Sequence, residues 1–448
     1  MKSQNSQPKQ TDNFHDWAAE LSQESSIHGV PYVARRDLHW TERLFWTAIV
    51  LASAYYAINS CLAQWDRFRE NPIVYEYEYL FALRNFTFLG VTLCTTYADK
   101  ESVDEVIKQT WGVDAWQDPE KAKYYAEFLL VLNHLQYKTM ETLSPFENDT
   151  TLENLNYVSM LLDLQRKVLP TAAPAVLAPI ITEVGLCQTT SQLNRYGNPY
   201  GKTENMEVAR VKDCGFFSDC NFMSKPFNSI RTHLFLYLHD VNELMLPDDT
   251  RTITFDAKVL SSYVIGVMLH SISADREVRN LPVAYRKCRY NDENYLQYYS
   301  PYHPSLCRLE CRIKHALSLC HCKPYFYAAA PEAPVCNITG MLCLARSNWL
   351  EKPCECFPLC RQNTFNIFHQ EEQGSDPSEQ FERTLIIKMK LPKMGMKRRV
   401  VFSTDQLIMS FGGAIGLFLG ASFMTLYGLV YLFLTFVAYK CKHCLYEN

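Results

Sequence analysis

Two long uncharged stretches, one near each end, interrupt an otherwise polar chain of 448 residues. Leu44–Ala63 is twenty residues long, and Leu407–Tyr439 is 33 residues long. About 20 apolar residues suffice for a helix to cross the hydrocarbon core of a bilayer. The pattern therefore predicts two membrane-spanning helices, which we assign to residues 44–65 and 407–439.

The second stretch carries glycine at every fourth position, at Gly412, Gly416 and Gly420. This spacing places small residues on one helix face, where another helix can approach closely. A straight helix of 33 residues would be about 50 Å long, whereas the hydrocarbon core is about 30 Å thick. We therefore expect this segment to tilt, break or extend out of the lipid, and to pack against other helices.

The region between the spans, residues 66–406, is polar and long enough to build a core of its own. Helix-start patterns occur in residues 102–168, whereas branched and aromatic residues typical of strands dominate residues 182–290. Thr384–Leu391 is predicted to be a further strand that leads back to the membrane. The region is therefore predicted to be an α+β domain.

Three patterns predict the helix starts within residues 102–168. Ser102 and Thr150 each precede a glutamate by three positions, which is the spacing of a capping box, and Asp118 precedes a proline. We expect roughly three helices there.

Charge and cysteine content indicate where this domain lies. The net charge of −4 argues against a nucleic-acid partner. Fourteen of the seventeen cysteines fall in residues 66–406, and this density predicts disulfides on the oxidising, extracellular side. Glycosylation sequons at Asn85, Asn148 and Asn337 agree. The two termini, residues 1–43 and 440–448, are therefore expected in the cytoplasm.

Ten of the cysteines lie within residues 288–360. Cys307 and Cys311 fall on one face of a predicted helix, so each is better placed to reach another segment than to pair with the other. Cys354 and Cys356 are the clearest targets, but spacing alone leaves the pairing open.

Zinc is the alternative use of these cysteines, because His321 lies beside a Cys-x-Cys pair. These pairs lack the usual spacer of two to four residues, so we expect structural disulfides, with no metal and no cofactor. The sequence contains no hydrolase, kinase or nucleotide-binding motif, so an enzyme is not expected.

Four motifs in a fixed order carry a resemblance to a known family. They are Ser26-Ile-His28-Gly29-Val with Glu42-Arg-Leu-Phe-Trp46 at the first span, Gly185-Leu-Cys187-Gln-Thr189, the ten-cysteine block, and Ser410-Phe-Gly-Gly-Ala-Ile-Gly-Leu-Phe-Leu-Gly-Ala-Ser422. On these motifs the chain resembles the degenerin/epithelial sodium channel family, and within it the insect pickpocket branch.

The resemblance implies a membrane protein with two transmembrane helices and a large disulfide-rich α+β extracellular domain of palm, β-ball, finger, thumb and knuckle parts. Residues 102–168 would form the helical finger, and residues 288–360 the cysteine-rich thumb. The implied disulfides are Cys94–Cys187, Cys214–Cys220, Cys288–Cys360, Cys307–Cys356, Cys311–Cys354, Cys320–Cys343 and Cys322–Cys336.

The resemblance also implies a function. Three subunits, identical or related, would assemble in the plasma membrane as an amiloride-sensitive channel for sodium ions, with the second spans lining the pore. The implied roles are a constriction at Gly420, Ala421 and Ser422, gating by His28, Gly29 and either Met409 or Ser410, and pore-helix packing at Gly412, Gly413 and Gly416.

The pore segment departs from the family where acidic residues usually follow the constriction, since Gly428 and Tyr431 stand there. Cation attraction would then come from outside the span, with Asp405 as the candidate. The alternative is a non-conducting accessory or receptor-like subunit of the same fold, which alters the currents of partner channels.

We predict that Met409→Gly reduces resting current. If Met409 occupies the gate position that is small in the family, its bulk favours the open state and glycine removes that bias. Recordings from cells expressing the parent and the variant at equal surface levels measure the effect. An unchanged resting current would rule out this role for Met409.

Overall fold

The computed structural model describes residues 27–35, 37–70, 72–79, 89–166, 177–200, 220–226, 234–257, 261–374, 384–390, 394–422 and most positions from 424 to 438. The chain divides into two compact units. Residues 1–74, 277–286 and 399–448 form the helical unit, and residues 75–276 and 287–398 form the sheet unit.

The α-helices of the described part are α1 (Val30–Ala34), α2 (Trp40–Glu70), α3 (Lys100–Trp111), α4 (Pro119–His134), α5 (Tyr157–Gln165), α6 (Val283–Arg286), α7 (Pro304–Cys320), α8 (Ile338–Arg346) and α9 (Thr404–Leu419). Short 3-10 helices cover Met140–Phe146, Thr150–Leu152, Asn194–Tyr196 and Arg276–Asn280. The helices thus fall mainly in the predicted spans, finger and thumb.

The described strands are β1 (Ile73–Tyr79), β2 (Leu89–Cys94), β3 (Ala178–Thr182), β4 (Gly185–Thr189), β5 (Cys220–Pro226), β6 (Leu234–Asp240), β7 (Ile253–Ala257), β8 (Ser261–Ala274), β9 (Gln362–Gly374), β10 (Thr384–Lys390) and β11 (Met394–Val400). One sheet has the order β1-β11-β8-β10-β5, with β9 also paired to β8. The other has the order β3-β4-β2-β6-β7.

Helix α2 contains the first predicted span, residues 44–65. It runs from Trp40 to Glu70, beyond both predicted bounds, and is long and apolar enough to cross a membrane. No other helix of the described part meets that criterion. The second apolar stretch is not one continuous helix: α9 ends at Leu419 after 16 residues, and helical positions are described again from 424. The expected break is therefore present, while a second span stays a prediction.

The finger region contains the expected three α-helices, but two of the predicted starts are wrong. Asp118 caps α4 and accepts a hydrogen bond from the amide of Lys121, as predicted. Helix α3 begins at Lys100 after Asp99, so Ser102 is a buried residue inside the helix. Thr150 starts only a 3-10 turn that is capped by Asp149.

The disulfides confirm the implied pairing wherever both cysteines are described. The bonds are Cys94–Cys187, Cys288–Cys360, Cys307–Cys356, Cys311–Cys354, Cys320–Cys343 and Cys322–Cys336. Cys214 lies outside the described residues, so the Cys214–Cys220 pair stays a prediction. Of the sequons, Asn148 and Asn337 are exposed, and Asn85 lies outside the described residues.

A buried ion pair joins α7 to the turn between β3 and β4. The Arg312 guanidinium contacts the carboxylates of Glu183 and Asp248, and the Tyr327 hydroxyl donates a 2.5 Å hydrogen bond to Glu183. Burial raises the pKa of Glu183, and Arg312 opposes that rise. The arginine also lies over the ring of Tyr137, 5.3 Å from its centroid. Arg312 therefore balances the negative charge of the buried Glu183 carboxylate inside the sheet unit.

We predict that Arg312→Met lowers the free energy of unfolding by about 3–5 kcal/mol, because the Glu183 carboxylate stays buried without its cation. Thermal unfolding of the full-length protein in detergent measures the loss. Arg346→Met is the control, since Arg346 pairs with Glu141 and Glu147 at the surface, where such pairs contribute little. Equal melting temperatures for parent and Arg312→Met would contradict this account.

Candidate functional site

The N-terminal segment from residue 27 to 35 packs along the beginning of α2. Tyr32 stacks on Trp46 with ring centroids 4.6 Å apart, and the Arg43 side chain donates to the carbonyl of Val33 at 3.2 Å. Gly29 precedes α1 with a φ of 87°, and a Cβ added there would lie 2.7 Å from a methyl of Val50. Only glycine suits both the backbone conformation and this close approach.

His28 lies against the end of α9. Its backbone amide donates a 2.9 Å hydrogen bond to the carbonyl of Leu419, which would otherwise be an orphan at the helix end. The next residue, Gly420, has a φ of 64°, and a Cβ there would overlap the His28 imidazole. The structure therefore brings together two predicted site motifs from opposite ends of the chain.

The break at Gly420 is capped on both sides. The Gly420 amide donates to the carbonyl of Gly416 at 2.9 Å, which closes the last turn of α9. After the break, the Ser422 amide donates to the Thr425 hydroxyl at 3.1 Å, and the Thr425 amide donates to the Ser422 hydroxyl at 3.4 Å. This reciprocal pair is a capping box that starts the following helical positions.

One face of α9 is exposed in the described part of the chain. A Cβ added at Gly412 or Gly413 would meet no atom within 4 Å, and Met409 is 76% exposed. Asp405 continues this face in the first turn. The structure thus places Met409 in the first half of α9, away from His28, so the predicted gating residues do not form one cluster.

A small apolar cluster joins the C-terminal end of α2 to the start of α9. Phe68 packs against the rings of Tyr285 and Phe402, with centroids 5.6 and 6.5 Å away, and Leu281 and Leu407 are buried with them. We call these five residues the junction cluster. The Val401 amide also donates to the Pro72 carbonyl at 2.9 Å.

Sequence reasoning missed both the junction cluster and the Ser422–Thr425 box. Ser422 and Thr425 have the spacing of a capping box, a pattern that the apolar surroundings obscured. The junction cluster gave no comparable pattern, because its residues come from three distant segments. Among the described residues, the helical unit contains no group of side chains arranged to hold a metal ion.

The sequence of this chain matches a known family over most of its length. The family described as "Amiloride-sensitive sodium channel" matches residues 21–432. "Pickpocket protein 28" of Drosophila melanogaster is 33% identical over 96 residues, which are 20% of this chain and 16% of the relative. "Sodium channel protein Nach" of Drosophila virilis is 35% identical over 68 residues, 15% of this chain and 18% of the relative. Each match thus spans about a fifth or less of either protein.

We predict that Gly420→Ala releases the N-terminal segment from α9. Alanine disfavours the left-handed backbone and its methyl displaces the His28 ring, so the His28 amide should exchange hydrogen roughly tenfold faster. Hydrogen exchange of the full-length protein, followed by mass spectrometry, measures this. Gly412→Ala is the matched control, because its methyl meets open space. Equal exchange in both variants would show that His28 is not held by this contact.

Proposed function

The chain belongs to the amiloride-sensitive sodium channel family, and on that premise we propose that it is a subunit of a trimeric, sodium-preferring channel. Members of this family are plasma-membrane ion channels rather than enzymes. The observation that carries the proposal is the capped break at Gly420. The break interrupts an apolar helix at the position where the resemblance implies the constriction of the pore.

A helix break provides the groups that a cation requires. Carbonyls at a helix end have no intrahelical partner, and backbone carbonyls can replace the water around an ion. In the proposed trimer, the Gly420 and Ala421 carbonyls and the Ser422 hydroxyl would form this ring. The open face of α9, with Gly412, Gly413 and Gly416, would meet its neighbours around the axis.

The other contacts give the proposed pore a way to open and close. His28 and Gly29 hold the N-terminal segment against the end of α9, so a shift of that segment would change the constriction. At the other end of α9, the junction cluster would transmit movements of the 277–286 segment to both helices. Asp405, exposed in the first turn of α9, would draw cations toward the pore.

A specific observation also favours an accessory subunit. Residues 407–439 contain no charged side chain, so the proposed pore segment lacks a carboxylate of its own. A subunit of this kind would assemble with related channels and alter their currents while giving none alone. Block by amiloride-type compounds, sodium preference and the trimer all belong to the channel proposal and share its test.

We predict an amiloride-sensitive current in oocytes that express the chain, alone or with related subunits. Replacing bath sodium with a large organic cation should shift the reversal potential to negative values. Asp405→Asn should reduce inward current more at low ionic strength, because the Debye length is about 30 Å at 0.01 M and about 10 Å at 0.1 M salt.

Thr404→Val serves as the matched control, since it alters the neighbouring exposed position without changing charge. An Asp405→Asn effect that is equal at both ionic strengths would contradict attraction through space. If the chain gives no current in any combination yet changes the current of a partner, the accessory function is supported instead. If it does neither, both proposals fail.

A further inference from the structure

One thumb disulfide has a histidine beside it. Cys311 and His315 lie one turn apart on α7, and Cys311 is bonded to Cys354. The His315 Nε2 atom is 3.6 Å from the sulfur of Cys311. The two sulfurs and a ring nitrogen of His315 all lie within 4.8 Å of one another. Within the described ranges, this is the only such group of three potential metal ligands.

The surroundings leave this histidine available. The Nδ1 atom of His315 is buried and has no hydrogen-bond partner within the described part of the chain. Cys354 is partly exposed between the exposed residues Pro353 and Glu355. In contrast, both cysteines of the Cys288–Cys360 bond are fully buried. A soluble thiol can therefore reach Cys354, while the ring lies beside Cys311.

This arrangement favours thiol exchange at one bond. An external thiolate attacks the Cys354 sulfur, the Cys311–Cys354 bond breaks, and Cys311 leaves with the electron pair as a thiolate. An imidazole N–H beside that sulfur stabilises the leaving thiolate, which speeds exchange. A second external thiolate then attacks the mixed disulfide, which releases Cys354 as a thiolate and yields the oxidised external disulfide.

We propose that reduction of Cys311–Cys354 converts this structural bond into a zinc site formed by Cys311, Cys354 and His315. Two thiolates and an imidazole are ligands that zinc prefers, and a water molecule would complete the tetrahedron. Sulfurs that share a tetrahedral zinc are about 3.8 Å apart, so the freed sulfurs must separate from bonding distance, while the ring nitrogen of His315 already lies within 4.8 Å of both.

A second thumb disulfide, Cys320–Cys343, provides an internal control for the rate of reduction. Cys320, at the end of α7, is bonded to Cys343 on α8, and Cys343 is exposed, so access favours reduction of this bond over that of Cys311–Cys354. His321, which the sequence suggested as a zinc ligand, belongs to no group of three potential ligands among the described residues. A preference for the Cys311–Cys354 bond would therefore point to His315.

The test uses the full-length protein in detergent, treated briefly with limiting glutathione and then alkylated. Mass spectrometry should show Cys311 and Cys354 labelled roughly three- to tenfold faster than Cys320 and Cys343. His315→Gln should abolish that preference, and His321→Asn should retain it. Addition of Co²⁺ to the reduced protein should give thiolate-to-cobalt absorption, which Zn²⁺ then displaces.

Several outcomes would overturn the proposal. These are labelling of Cys320 and Cys343 first, equal labelling in parent and His315→Gln, or labelling of all thumb cysteines at once, as general unfolding would give. Absence of cobalt absorption from a protein with only Cys311–Cys354 reduced would also reject the metal site. Because no step depends on ion current, these outcomes are separate from the test of channel function.

Discussion

The hydrogen bond from the His28 amide to the Leu419 carbonyl is the contact on which the arrangement of the helical unit depends. A helix that ends inside an apolar stretch exposes backbone groups that lipid cannot satisfy. Here His28 satisfies one carbonyl, Gly420 closes the last turn, and Ser422 and Thr425 start the next helical positions. Several backbone groups at the break thus have hydrogen-bond partners within the chain.

Close packing of the N-terminal segment explains why glycine stands at two distant positions. Gly29 and Gly420 both adopt left-handed backbone conformations, and at both a side chain would strike a neighbouring residue. Gly29 therefore fits the N-terminal segment against α2, and Gly420 fits it against the end of α9. The contact of His28 with α9 joins two of the motifs that carry the family resemblance, which lie far apart along the sequence.

The sequence predicted features that depend on composition and local chemistry. The presence of α2 and the cap at Asp118 follow from an apolar run and a capping residue. The density of cysteines predicts disulfides, and the family resemblance implies their pairing. Local patterns failed where burial decided the result: Ser102 has the spacing of a cap but lies inside α3. The contact of His28 with α9 could not be predicted, because it depends on how distant segments meet.

The paired bonds Cys307–Cys356 and Cys311–Cys354 have a mechanical meaning. The helical cysteines are four residues apart, a rise of about 6 Å, and their partners are two residues apart across a tight turn closed by the Cys356 amide and the Cys354 carbonyl. Because two disulfides join them, α7 cannot rotate relative to this turn. Loss of Cys311–Cys354 would leave Cys307–Cys356 as the remaining disulfide between α7 and this turn. The turn could then rotate about that single bond.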